Sequence, residues 1–76
     1  MSSENNQIPT LLDVVALIQD LPAQGLIRGQ VGTVVESLGD DVYEIEFSDE
    51  DGRTYAQLSL KSNSLMVLHH RPYEAA

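Results

Sequence analysis

Residues 42–47 read VYEIEF, and apolar and charged positions alternate without a break: Tyr43, Ile45 and Phe47 to one side, Glu44 and Glu46 to the other. Residues 54–61, TYAQLSLK, repeat the pattern, with Ala56, Leu58 and Leu60 inward and Tyr55, Gln57, Ser59 and Lys61 outward. Side chains alternate between faces along a strand, whereas a helix needs a period of about 3.6. Each run is therefore a strand with one face on a core and the other in solvent. Asp51-Gly52 lies between them and is a hairpin turn signal, so the two are expected to pair antiparallel. In that hairpin Glu46 is expected opposite Tyr55 and Glu44 opposite Gln57, an aromatic ring among carboxylates on the outer face.

The rest of the chain fits the same class. Residues 30–38 (QVGTVVESL) are rich in β-branched residues and end at the turn signal Gly39-Asp40-Asp41. Residues 65–69 form a short apolar run suited to a closing strand. Leu11, Leu12, Val14, Val15, Ile18 and Leu21 fit a helix capped at Thr10. Residues 13–21 fit equally well a strand buried on both faces for part of its length, and periodicity does not separate the two. The stretch that follows, LPAQGLIRG, is the kind of excursion that joins the first two strands of small SH3-like barrels, which favours the strand. The expected fold is all-β: a small SH3-like barrel of about five short antiparallel strands over residues 11–70. A flexible N-terminal segment (1–10) precedes it, and a C-terminal tail (71–76), set off by Pro72, follows.

Seventy-six residues make one domain, and size scaling leaves only roughly 62% of the extended chain's surface buried. Such a domain holds one small core and little room for an enclosed substrate pocket. Leu, Ile, Val and Phe account for 22 residues, above the level of a disordered chain. The net charge is −8, and its placement is uneven. Eight acids (Glu36, Asp40, Asp41, Glu44, Glu46, Asp49, Glu50, Asp51) and no base fall between positions 36 and 51. The remaining acids, Glu4, Asp13, Asp20 and Glu74, balance Arg28, Arg53, Lys61 and Arg71. A field of that sign repels phosphate backbones and anionic membranes, so neither nucleic acid nor membrane is expected as a partner. With no cysteine, disulfides, thiolate metal sites and cysteine nucleophiles are excluded. Residues 1–7 have neither the bases nor the apolar run of a signal peptide, and a cytoplasmic setting is expected.

Each stretch with a chemical reading also has a plainer one. Arg28-Gly29-Gln30-Val31-Gly32 leads into a strand with no Lys after it, unlike a phosphate loop. Gly29 is expected to take a turn position and Gly32 to admit a neighbouring strand. Residues 48–52 hold three acids before a glycine but lack the spread of oxygen ligands that calcium loops use. His69 and His70, adjacent on a strand end, point to opposite faces and cannot chelate one ion. Glu44 and Glu46 stand about 6–7 Å apart along one face, a separation glycosidases use, but the outer face of a small barrel lacks a cleft to exclude water. No enzymatic activity, metal or cofactor is expected.

The segments DVVAL (13–17), RGQVGTVVE (28–36), YEIEF (43–47) and DEDGRTYA (49–56) together resemble the uncharacterised bacterial domain-of-unknown-function family 4926. The resemblance runs from Leu11 to about His69. It implies an SH3-like barrel in a short bacterial protein, acting beside partner proteins and in toxin–antitoxin-like gene pairs. It transfers no functional residue.

The expected function is a non-catalytic protein-interaction module. It docks a basic or mixed-charge protein through an acidic hairpin, with Glu44, Glu46, Asp49, Glu50, Asp51 and Tyr55 as the binding residues. The alternatives are an antitoxin or immunity-type inhibitor covering the basic surface of a neighbouring toxin or nuclease, and a structural subunit of a larger complex. Strand edges left by partial closure also allow a homodimer.

Overall fold

A computed structural model of the chain describes residues 8–69. Five strands follow in sequence: β1 (Val14–Leu17), β2 (Val31–Gly39), β3 (Val42–Ser48), β4 (Thr54–Lys61) and β5 (Leu65–Val67). They form one antiparallel open sheet in the order β4-β3-β2-β1-β5. This is the order of an SH3-like barrel, with a 3-10 turn at Ser62–Ser64 carrying the chain from one edge of the sheet to the other. The two edge strands reach the same core. Ala56, Leu58 and Leu60 of β4 and Val67 of β5 all pack against the cluster built on Val15, Leu17, Val34, Ile45 and Phe47. A sheet whose opposite edges touch one cluster is curled around it, although β4 and β5 are not paired to each other.

The alternation in β3 appears directly as burial. Tyr43, Ile45 and Phe47 are at most 7% exposed, and Glu44 and Glu46 face outward. Two hairpins flank this strand. Between β2 and β3 the turn is two residues, Asp40 and Asp41, with φ of 54° and 65°. Positive φ at both positions matches the right-handed twist of the strands. Between β3 and β4 the Asp49 and Arg53 backbones bond across a loop of Glu50, Asp51 and Gly52, with Gly52 at positive φ. The close approach expected at Gly32 is present. A Cβ there would lie 2.7 Å from Ile45 Cγ2 and 2.9 Å from the Glu46 carbonyl oxygen.

Two expectations need correction. The strand expected over 13–21 is only four residues long. Beyond Leu17, the Ile18 N–H turns to the Ser64 carbonyl, and Asp20 Oδ1 accepts the Arg28 N–H at 2.9 Å. Leu21 and Leu26 then close a small loop around a 3-10 turn at Pro22–Gln24, so the ladder cannot continue. Within the short strand Val15, Ala16 and Leu17 are all buried, so both faces are covered, as expected of a strand in the middle of a curled sheet. The second correction is the hairpin register. Phe47 pairs with Ala56 and Ser48 with Thr54, which leaves Tyr55 as the extra residue of a bulge. Glu46 therefore stands opposite Gln57, and Glu44 opposite Ser59.

Candidate functional site: the acidic face of the central hairpins

β3 carries the acids, and its two turns extend them in both directions. Asp40 and Asp41 lie at one end, Glu44 and Glu46 along the outer face, and Asp49, Glu50 and Asp51 at the other end. Seven residues at about 3.3 Å each make a ridge roughly 23 Å long.

Hydrogen bonds from β4 orient the two central carboxylates. Glu44 accepts from Ser59 Oγ at 2.8 Å and from Gln57 Nε2 at 3.1 Å. Glu46 accepts from Thr54 Oγ1 at 2.8 Å. All three donors are neutral, so the geometry is held while the charge stays uncancelled. The third member of the face is Glu36, which stands directly opposite Glu44. Strict alternation from the buried Val34 would have sent Glu36 inward. A register shift between Val34 and Glu36 absorbs Val35 and brings Glu36 back to the outer side. Sequence reading counted Glu36 in the acidic segment but did not place it in the binding set. The signal was the charge itself, since an unpaired Glu cannot occupy the inward position that alternation assigns.

The other expected residues divide by role. Asp49 holds the turn: its Oδ1 accepts the backbone N–H of Asp51 at 2.9 Å and of Arg53 at 3.0 Å. Glu50 and Asp51 sit exposed at the tip. Tyr55 does not stand among the carboxylates. The bulge turns it toward Phe47, with ring centroids 6.4 Å apart and tilted, and its hydroxyl accepts from Gln30 Nε2 at 3.1 Å. Gln30 Oε1 in turn accepts the Ile27 N–H, so Tyr55 ties the β4 edge to the loop before β2 while remaining 48% exposed. At the other end of the ridge, Asp41 accepts from Ser62 Oγ at 2.7 Å.

Gly29 has φ of +96° at its turn, and Gly32 packs against β3, which accounts for both glycines of the 28–32 stretch without a phosphate. Among the described residues, no group of three or more His, Asp or Glu is arranged to hold a metal ion. His69 is described and exposed, whereas His70 lies outside the described residues, as do 1–7 and 71–76. No described helix is long and apolar enough to cross a membrane.

No curated protein and no solved structure matches the chain. A family model does, over residues 11–67, which takes in all five strands and both hairpins of the acidic ridge. The chain belongs to the family described as Domain of unknown function (DUF4926).

Proposed function

We propose that this domain is a non-catalytic interaction module that docks a basic protein surface on the outer face of β2 and β3. The observation that carries the reading is the cross-strand pair Glu36–Glu44, with Glu46 beside it. Like charges directly opposite each other destabilise a sheet, and the neutral partners of Glu44 and Glu46 do nothing to cancel them. A cationic partner would relieve that repulsion on binding, so the cost in the free domain becomes affinity in the complex. Glu50 and Asp51 extend the field at the hairpin tip and steer the approach. Asp49 is occupied in the turn, and Tyr55 borders the surface from the bulge. The absence of cysteine supports a reducing, cytoplasmic setting.

The test compares the full chain with a variant carrying Glu36→Gln, Glu44→Gln and Glu46→Gln in affinity capture from the native organism at low salt. Exposed ion pairs are worth about 0.2–1 kcal/mol each, so removing three weakens binding by about threefold to a hundredfold. Recovery of a stoichiometric basic protein by the chain, reduced or lost with the variant, is the expected result. Equal recovery by both would contradict the reading. A captured basic protein that is toxic alone and harmless when co-expressed would specify the inhibitor form of the same function.

A further inference from the structure

The acidic face ends at β4, and β4 is an edge. Edge strands are ordinarily shielded by being short, by proline, by inward charge or by a covering segment. β5, at the other edge, is three residues long. β4 has eight residues, no proline, and its only bulge at its start.

Its backbone polarity follows from the ladder. The Ser62 N–H donates to the Asp41 carbonyl at 3.3 Å, and Asp49 and Arg53 bond at the other end. In an antiparallel pair, bonded and non-bonded positions alternate. Counting in from Ser62, Leu60, Leu58 and Ala56 turn their backbone groups to β3, and Lys61, Ser59 and Gln57 turn theirs to the open side. The inward row is also unfinished. Ala56, Leu58 and Leu60 are half-buried, where Tyr43, Ile45 and Phe47 beside them on β3 are buried.

We infer that β4 receives an added strand from a partner protein, one that alternates apolar residues with Lys or Arg. This rests on the docking reading above and names its mode. An added strand would bond the outward groups of Gln57, Ser59 and Lys61, and its apolar residues would cover Ala56, Leu58 and Leu60. Its other residues would stand on the outer face, two strand spacings (about 9.6 Å) from Glu44 and Glu46, within reach of a long basic side chain. Charge complementarity selects this occupant over a second copy. Two chains of −8 repel, and β4 itself offers the outer face only Lys61 as a base.

The probe is a synthetic peptide of eight residues alternating valine and lysine, matched in length to β4. A blocked peptide of the same composition, valines first and lysines after, is the control. Amide exchange and affinity are measured on the full chain, on Ser59→Pro, which removes an outward N–H, and on Ser59→Ala, which keeps it. Gln57→Pro replaces Ser59→Pro if the latter does not fold. The expected result is protection of the Gln57, Ser59 and Lys61 amides by the alternating peptide, with about tenfold tighter binding than the blocked one. Ser59→Ala, which loses the hydrogen bond to Glu44 but keeps the N–H, retains the protection and the preference for the alternating peptide, and the proline variant loses both. Equal, salt-sensitive binding of both peptides with no protection overturns strand addition and leaves acidic docking standing. Protection of the same amides in the chain alone, with a dimer by light scattering, overturns it in favour of a second copy. Binding of neither peptide overturns it, and the triple-Gln comparison decides the docking reading separately.

Discussion

Single positions in this domain divide into those the fold requires and those it tolerates, and chemistry at short range decides which is which. At Gly32 two effects oppose each other. Alanine is better than glycine in a strand by about 0.5–1 kcal/mol. A Cβ at 2.7 Å from Ile45 and 2.9 Å from the Glu46 backbone overpacks the core, which costs about 1–3 kcal/mol. The backbone contact cannot swing away, so Gly32→Ala is expected to lower the urea midpoint of unfolding. The acids divide in the same way. Asp49→Ala removes the acceptor for two backbone N–H groups and is expected to destabilise by about 1–2 kcal/mol. Asp51→Ala, two residues on and exposed, is expected to stay within about 0.5 kcal/mol of the parent. Thermal unfolding of the two variants side by side measures this difference. Equal effects would mean that Asp49 is a surface charge like its neighbours.

At the level of elements, alternation made β3 and β4 legible because one face of each is buried and the other wet. Tyr43, Ile45 and Phe47 are inward as read, and so are Ala56, Leu58 and Leu60. The bulges were not legible. An inserted residue at Val35 or Tyr55 changes which residues face each other without disturbing the composition of either strand. The pairing expected for Glu46 is two residues off, Tyr55 in place of Gln57, and the shift at Val35 is what brings Glu36 to the outer face opposite Glu44. β1 was ambiguous for a different reason: with Val15, Ala16 and Leu17 buried on both faces, no polar residue marks a period. Its early end depends on Asp20, Leu21 and Leu26, contacts made beyond the strand itself. The pair Glu36–Glu44 yields the prediction at this scale. Glu36→Lys converts repulsion to attraction and is expected to stabilise the free domain by about 0.2–1 kcal/mol at low salt. The gain should shrink as salt screens the pair, and partner binding should weaken. A variant no more stable than the parent at low salt would place the two carboxylates too far apart to interact.

Over the whole molecule, a single open sheet curled on one small core presents an acidic ridge at its centre and, among the described residues, a strand with no neighbour at one edge. The features that read as function lie on β2, β3 and β4, while β1 and β5 supply core and closure. With a net charge of −8, the free domain repels itself, and its melting temperature is expected to rise with added salt in the absence of any partner. Salt should thus strengthen the fold and weaken the complex, two opposite trends from one cause. The most direct measurement follows from that opposition: the affinity of the captured basic partner, from low to high salt, for the chain and for the Glu36→Gln, Glu44→Gln, Glu46→Gln variant. Affinity for the chain is expected to fall steeply with salt, and the variant to start lower and fall less. Identical salt dependence for the two proteins would contradict docking on the acidic face.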